Sequence, residues 1–228
     1  VIYNEDVFEL IMDFLFPKFC VGCGEYGCDL CKKCFAEMPY SEQICPECGK
    51  ESMMGWTHSG CKSSRGMDGL IVIYDHQDRV VQKAIEDIKF GFNRVMVREI
   101  LKGFSFESGE KFDLLVPVPL HFYRENWRGF NQAEEIALAI SGKMKVPVKR
   151  VLVRNKRTKQ QSLLSNRKER EKNVKGVFEV DKEYKSILRG KKILLVDDVF
   201  TSGADMRECT KVLKRSGATV VWGLAMAH

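Results

Sequence analysis

No stretch of the 228-residue chain stays apolar for the roughly 20 residues that a bilayer-spanning helix requires, which excludes membrane insertion by that route. No secretory signal is legible ahead of the cysteines. That turns their reading toward metal rather than disulfide chemistry, and makes the reducing cytoplasm the expected location. Acids are nearly missing from residues 143–175, where 13 Lys and Arg face only Glu169 and Glu171. The middle of that stretch, RNKRTKQQSLLSNRKEREKN, also has little apolar area, so it cannot build a core of its own. Aromatic residues are scarce there as well. Phe178 is the only one near, which leaves base stacking little to contribute. No helix reads as a major-groove recognition element, and nothing reads as a base-recognition hood.

What is present is a chain of 44% hydrophobic and 30% charged residues, long enough for one α/β domain plus a small appendage. Residues 5–16, EDVFELIMDFLF, have the apolar spacing of an amphipathic helix that packs on its own domain and stops at Pro17. Eight of the nine cysteines follow. Cys20 and Cys23, Cys31 and Cys34, and Cys45 and Cys48 form two-residue-spaced pairs, and His58 with Cys61 repeats the spacing with an imidazole. Two such pairs close one tetrahedral zinc site. Consecutive pairing gives one site of four thiolates and one of three thiolates and an imidazole, so two structural Zn2+ are expected. Spacing alone leaves interleaved pairing open, and Cys28 could compete with Cys31. Residues 1–62 carry a formal −5 and the remainder +11. The expected domains are therefore 1–64, a helix and double zinc ribbon, and 65–228, an α/β unit.

Residues 193–205, ILLVDDVFTSGAD, organise the larger unit. Ile193 to Val196 read as a strand buried on both faces of a parallel sheet. Asp197 and Asp198 follow, then Thr201-Ser202-Gly203-Ala204, then a helical pattern through Met206, Cys209, Val212 and Leu213. A strand, a hydroxyl- and glycine-rich turn and a helix N-terminus make an anion site, and adjacent acids suit a sugar diol. Together they describe a cradle for a ribose 5-phosphate. Asp205 either repels such a phosphate, by a few kcal/mol at about 4 Å and an effective dielectric near 20, or turns aside and caps the helix.

Around this stretch, strands are expected at Leu70 to Tyr74, Phe112 to Val116 and Thr219 to Ala225, the last beside Ile193 to Val196 and closing the sheet. Helices are expected at 79–90, 94–104 and Ala133 to Ile140. Pro117-Val118-Pro119 fixes a rigid turn at a strand's carboxyl end, the edge where open α/β sheets bind ligands. Beyond it lie His121, read as a solvated loop residue, and Arg124 to Gln132. Arg128 has the planar fork that suits phosphate, whereas Asn131 and Gln132 serve equally well as ligand contacts or as caps of their own helix.

The residues 193–205 resemble the phosphoribosyl-pyrophosphate (PRPP) signature of type I phosphoribosyltransferases. The VPVP at 116–119, the RGFNQ at 128–132, the VDDV at 196–199 and the cysteine knuckles together resemble the ComF family of bacterial competence-associated proteins. The resemblance implies a type I phosphoribosyltransferase-like open parallel sheet with an N-terminal double zinc ribbon. It implies that Asp197 and Asp198 hold the ribose hydroxyls and serve any catalysis. Val199 and Thr201 to Asp205 would line the 5-phosphate side, and Pro117, Val118, Pro119 and Arg128 the pyrophosphate side, with Mg2+ bound alongside PRPP. In this family pattern the last position of the phosphate loop is threonine, and here it is Asp205. A flexible basic loop at about 154–175 would close over the centre. The surplus of cations there also suits single-stranded DNA, through Lys156, Arg157, Lys159, Arg167 and Lys168. A competence helicase is a further expected partner. A non-catalytic DNA-handling or docking protein that keeps the fold as sensor or scaffold is the rival to a phosphoribosyltransferase of unknown acceptor.

Overall fold

In a computed structural model, residues 17–105, 109–156, 158 and 167–228 are described, Arg167 by its backbone. The helix expected at 5–16 lies outside the described residues, as do Arg157 and Lys159. Among the described residues the N-terminal part is built from short knuckles with one small α-helix, α1 (Lys32–Glu37). After it come β1 (Gly69–Tyr74), α2 (Arg79–Phe90), α3 (Arg94–Leu101), β2 (Leu114–Pro117), α4 (Phe122–Arg128) and α5 (Gln132–Met144). The chain continues through β3 (Leu152–Arg154), α6 (Arg167–Val174), β4 (Phe178–Val180), β5 (Lys192–Val199), α7 (Ala204–Arg215) and β6 (Val220–Ala227).

Strands β1, β6, β5 and β2 form a parallel sheet in that order, and β3 pairs with β4 in a separate two-stranded antiparallel sheet. The apolar run of β5 is sandwiched as its composition requires. Leu194 and Val196 join one core layer with Ile85, Ile88 and Ile136, while Ile193 and Leu195 join the other with Val177, Phe178 and Leu213. Helices α2 and α3 start where short polar side chains accept orphan amides. Asp78 accepts from Val80 and Val81 ahead of α2, and Asn93 from Met96 ahead of α3. Strand β6 is interior rather than closing the sheet, because β1 lies outside it. The strand expected from Phe112 begins two residues later at Leu114, and the helix expected to 104 ends at Leu101. The β3–β4 sheet and α4 were not expected. The strands of that sheet have three residues each, too short for an alternation to register.

The knuckled part covers the outer edge of β1. Gln43 places its side-chain amide against Val72, donating to the carbonyl at 2.6 Å and accepting from the N–H at 3.1 Å, as a neighbouring strand would. Ser41 N–H donates to the Ile73 carbonyl at 2.9 Å. Trp56 meets Trp222 edge to face at 4.6 Å. Gly69 makes room for that indole, since a Cβ there would lie 2.6 Å from the Trp222 ring. Appendage and sheet thus share one core.

Candidate functional site

Strand β5 runs three residues beyond its apolar segment, to Val199, so Asp197 and Asp198 still lie within the strand as it reaches the sheet's carboxyl edge, with Asp197 opposite Ala225 of β6. Asp197 keeps partial solvent contact although it is set deep in the protein. Burial, with Asp198 and Asp205 nearby, pushes its carboxyl well above the usual range, while its Oδ1 accepts the Asp198 N–H at 2.9 Å. Asp198 meets Lys89 Nζ at 3.1 Å. Lys89 lies in the last turn of α2; burial lowers the pKa of His76, and the charge of Lys89 adds to that. Arg128, in the last turn of α4, feels the field of Asp198, and burial lowers its pKa. Cations from two separate helices therefore act on Asp198, Lys89 by direct contact and Arg128 through its field.

The turn after β5 enters α7 through Gly203, which adopts φ +67°. A Cβ there would lie 2.3 Å from the Phe200 ring and 2.9 Å from Arg207 Nη1, so conformation and space both require glycine. Gly203 provides no side-chain cap, the Ala204 N–H donates to Ser202 Oγ at 3.4 Å, and the amides opening α7 have no intrahelical acceptor. Thr201 is exposed and Ser202 half-buried beside them, while Gly203 and Ala204 are buried. This arrangement can accept an anion from the helix end and a hydroxylated ligand from the acids. Asp205 turns toward β3. Its Oδ1 pairs at 3.0 Å with Nη1 of Arg154, a side chain only 5% exposed. Arg154 also donates to Thr158 Oγ1 and lies 5.0 Å over Phe178, so Phe178 is buried beneath a guanidinium rather than offered to a base.

On the β2 side Pro117 and Val118 are buried and Pro119 is half-exposed. The Val118 N–H donates to the Val196 carbonyl at 2.9 Å, which ties this turn to β5. Asn131 resolves as a cap. It accepts from Ala133 at 3.0 Å and donates to the Val118 carbonyl at 3.0 Å. Gln132 is buried in the first turn of α5 with no partner for Nε2. His121 is no free loop residue, since it caps α4 by accepting the Tyr123 N–H at 3.4 Å.

The cysteines gather in consecutive pairs. Cys20, Cys23, Cys31 and Cys34 form one cluster, and Cys45, Cys48, His58 and Cys61 another, with the ligand atoms of each within 4.8 Å of one another. The 3.8 Å between the Cys23 and Cys31 sulfurs equals the roughly 3.8 Å edge of a tetrahedron with 2.3 Å Zn–S bonds. His58 Nε2–H donates to the Glu51 carbonyl at 3.1 Å, which turns Nδ1 toward Cys48 Sγ at 3.4 Å as the ligand atom. Both clusters fit structural Zn2+. Burial acts to raise the Cys20 thiol, but the amides of Cys23, Cys31 and Gly22 outweigh it and bring the pKa to about 6, favouring the thiolate a metal needs. Cys28 stays outside both clusters.

The double zinc ribbon domain family matches residues 11–63. Competence protein F of Haemophilus influenzae is 28% identical, over 88% of this chain and 90% of that protein. The chain is a homologue of competence protein F. Similar too are DNA utilization protein YhgH of Escherichia coli K12, 26% identical over 90% of this chain and 94% of its own, and competence protein ComFC of Bacillus subtilis, 26% identical over 82% and 79%. A solved structure of glutamine PRPP amidotransferase from B. subtilis with ADP and GMP gives a TM-score of 0.36 at 18% identity. That match covers 64% of this chain and 26% of the amidotransferase, so the chain spans about a quarter of that protein's length.

As a competence protein F homologue the chain has its motif acids, its glycine turn and Arg128 on one rim. Lys89, Arg154 and Arg207, which hold that rim, were missed. Each is a lone cation in an ordinary helix or strand, and only packing brings it to the acids. Of the residues named for nucleic acid, Lys156 and Lys168 are exposed. Among the described residues no helix is long and apolar enough to cross a membrane.

Proposed function

We propose that this competence protein F homologue binds PRPP with Mg2+ at the carboxyl edge of β5, as a phosphoribosyltransferase-like component of DNA uptake. The observation that carries the reading is the pair Asp197 and Asp198 set directly before a glycine turn that opens a helix. The raised carboxyl of Asp197 is a site in want of donors, and a ribose diol supplies two. The 5-phosphate would take the amides of 201–205 and the Thr201 hydroxyl, and Arg128 would face the pyrophosphate. Mg2+ would lend charge to the leaving pyrophosphate, and Asp197 and Asp198 would be the carboxylates that meet the Mg2+-bearing ligand. Lys89 then holds Asp198 in orientation. Breaking the C1–pyrophosphate bond would develop oxocarbenium-like charge at C1 beside these two carboxylates. The boundary between ribbon and α/β unit at 64/65 belongs to the same proposal.

Calorimetric titration of PRPP with and without Mg2+ tests the reading. Wild type should bind only with Mg2+, and the Asp197→Asn, Asp198→Asn double variant should not bind while remaining folded. Equal affinity in the variant would sink it.

A second reading, single-stranded DNA binding, is favoured by the exposed cations of 143–175 and by the names of the relatives. Its affinity should fall with salt at a log–log slope of about −0.7 per phosphate contact. Glutamine at positions 156, 157, 159, 167 and 168 should flatten that slope with both zinc ions retained. A wild type that binds no DNA at low salt would end this reading.

A further inference from the structure

The turn that opens α7 is held from behind by a residue that also holds a zinc knuckle. Arg207 is buried, at 8% exposed, one turn into α7. Its Nη1 donates to the Ser202 carbonyl and its Nη2 to the Pro46 carbonyl. Pro46 lies between Cys45 and Cys48, two ligands of the second cluster. The Arg207 Nε sits 3.5 Å from Glu47 Oε2 in the same knuckle, and Glu47 Oε1 accepts the Met67 N–H at 3.2 Å. The guanidinium lies 5.5 Å over the Phe200 ring, whose residue begins the turn. One planar fork thus spans from a metal knuckle to the anion turn, across more than 150 positions of sequence.

The geometry of the peptide bond gives this link a consequence. All described peptides are trans, so the carbonyl of Ser202 and the N–H of Gly203 point in opposite directions from one plane. Drawing the carbonyl toward Arg207 aims the Gly203 N–H away from that guanidinium. The Pro46 carbonyl can serve as an anchor only while its knuckle is fixed. The backbone bonds of the knuckle, Gly49 N–H to Cys45 carbonyl at 2.9 Å and Cys45 N–H to Lys50 carbonyl at 2.8 Å, belong to the loop that the metal would close.

We infer that Arg207 is a positioning residue through which zinc in the Cys45, Cys48, His58 and Cys61 cluster sets the aim of the 201–204 turn at a ligand phosphate. The first cluster has no part in this link, so the two zinc sites are inequivalent. The ligand half of the inference rests on the PRPP reading. The coupling half does not.

The experiment uses the full chain and four forms: wild type, Cys23→Ser, His58→Ser and Arg207→Lys, with His58→Ser/Arg207→Lys added. Hydrogen exchange of the 200–207 segment, read by mass spectrometry, reports the turn without any ligand. His58→Ser should speed that exchange, Arg207→Lys should do so with two zinc ions retained, and Cys23→Ser should leave it unchanged. The double variant should match His58→Ser, because both remove one link. Mg-PRPP affinity should follow the same order, falling by about tenfold in the affected variants, within the usual range for coupled sites. By reciprocity PRPP should slow loss of one zinc ion to a chelator in wild type and not in Arg207→Lys. Additive effects in the double variant, or equal effects of Cys23→Ser and His58→Ser, would overturn the coupling. If the exchange pattern holds and wild type binds no PRPP, the coupling stands and the PRPP reading falls.

Discussion

Asp205 stands where the signature that this stretch resembles has threonine, and under the proposed PRPP reading its ion pair with Arg154 makes a prediction that runs against the bare electrostatics. A lone carboxylate about 4 Å from a phosphate costs roughly 4 kcal/mol at an effective dielectric of 20. Here Arg154 Nη1 sits 3.0 Å from that carboxylate and is itself almost fully buried, so most of the repulsion is already offset. Asp205→Thr should therefore leave Mg-PRPP affinity within about threefold of wild type, since 1.4 kcal/mol is tenfold. It should instead lower stability. Stranding a buried charge costs about 3–5 kcal/mol. Thr158 and the Phe178 ring still receive the guanidinium, which brings the expected loss to about 2–3 kcal/mol. Arg154→Met is the converse. It unmasks Asp205 and should weaken PRPP binding by about 10- to 100-fold, a share of the unscreened repulsion. The double variant should recover affinity close to wild type. Calorimetry gives the affinities and urea denaturation the stabilities. An Asp205→Thr protein that binds PRPP tenfold tighter would refute the reasoning, because it would mean that the pair does not neutralise the carboxylate.

Elemental analysis should find two zinc ions per chain, and Cys20→Ser should lose one while the α/β sheet stays folded; a folded, metal-free wild type would contradict both clusters. Zinc should be released as pH falls, because thiolates and His58 must be deprotonated to bind it, and a chelator dye can follow the release. Asp197 is raised above its unfolded value, so the folded state holds its proton more tightly and the ligand-free protein should lose stability as pH rises from the ordinary carboxylate range through the raised value. Asp197→Asn should remove that slope and stabilise the protein at neutral pH, which urea titrations at several pH values would check. Gly69→Ala should cost about 3 kcal/mol, the upper end for overpacking, since the new methyl meets the Trp222 ring; an unchanged unfolding midpoint would show that the indole can shift.

The sequence by itself determined the elements whose causes are local. The apolar run 193–196 had to be doubly buried, and a glycine between a strand and a helical pattern had to make the turn that Gly203 makes at φ +67°. The two-residue cysteine spacing had to make knuckles. Helix 79–90 was legible to the residue, because an aspartate cap and a three-four apolar spacing mark its start and face. Tertiary structure decided everything that depends on two distant segments meeting. It chose consecutive over interleaved metal pairs, since spacing forms a knuckle but only folding brings two together. It turned Asp205 to Arg154, 51 positions away, and left Asn131 as a cap that also reaches the Val118 carbonyl. It placed Lys89 against Asp198 and tied the 201–204 turn to a cysteine knuckle through Arg207. A charged side chain in a sequence has no direction, and its partner is fixed only when the backbone has been packed around it.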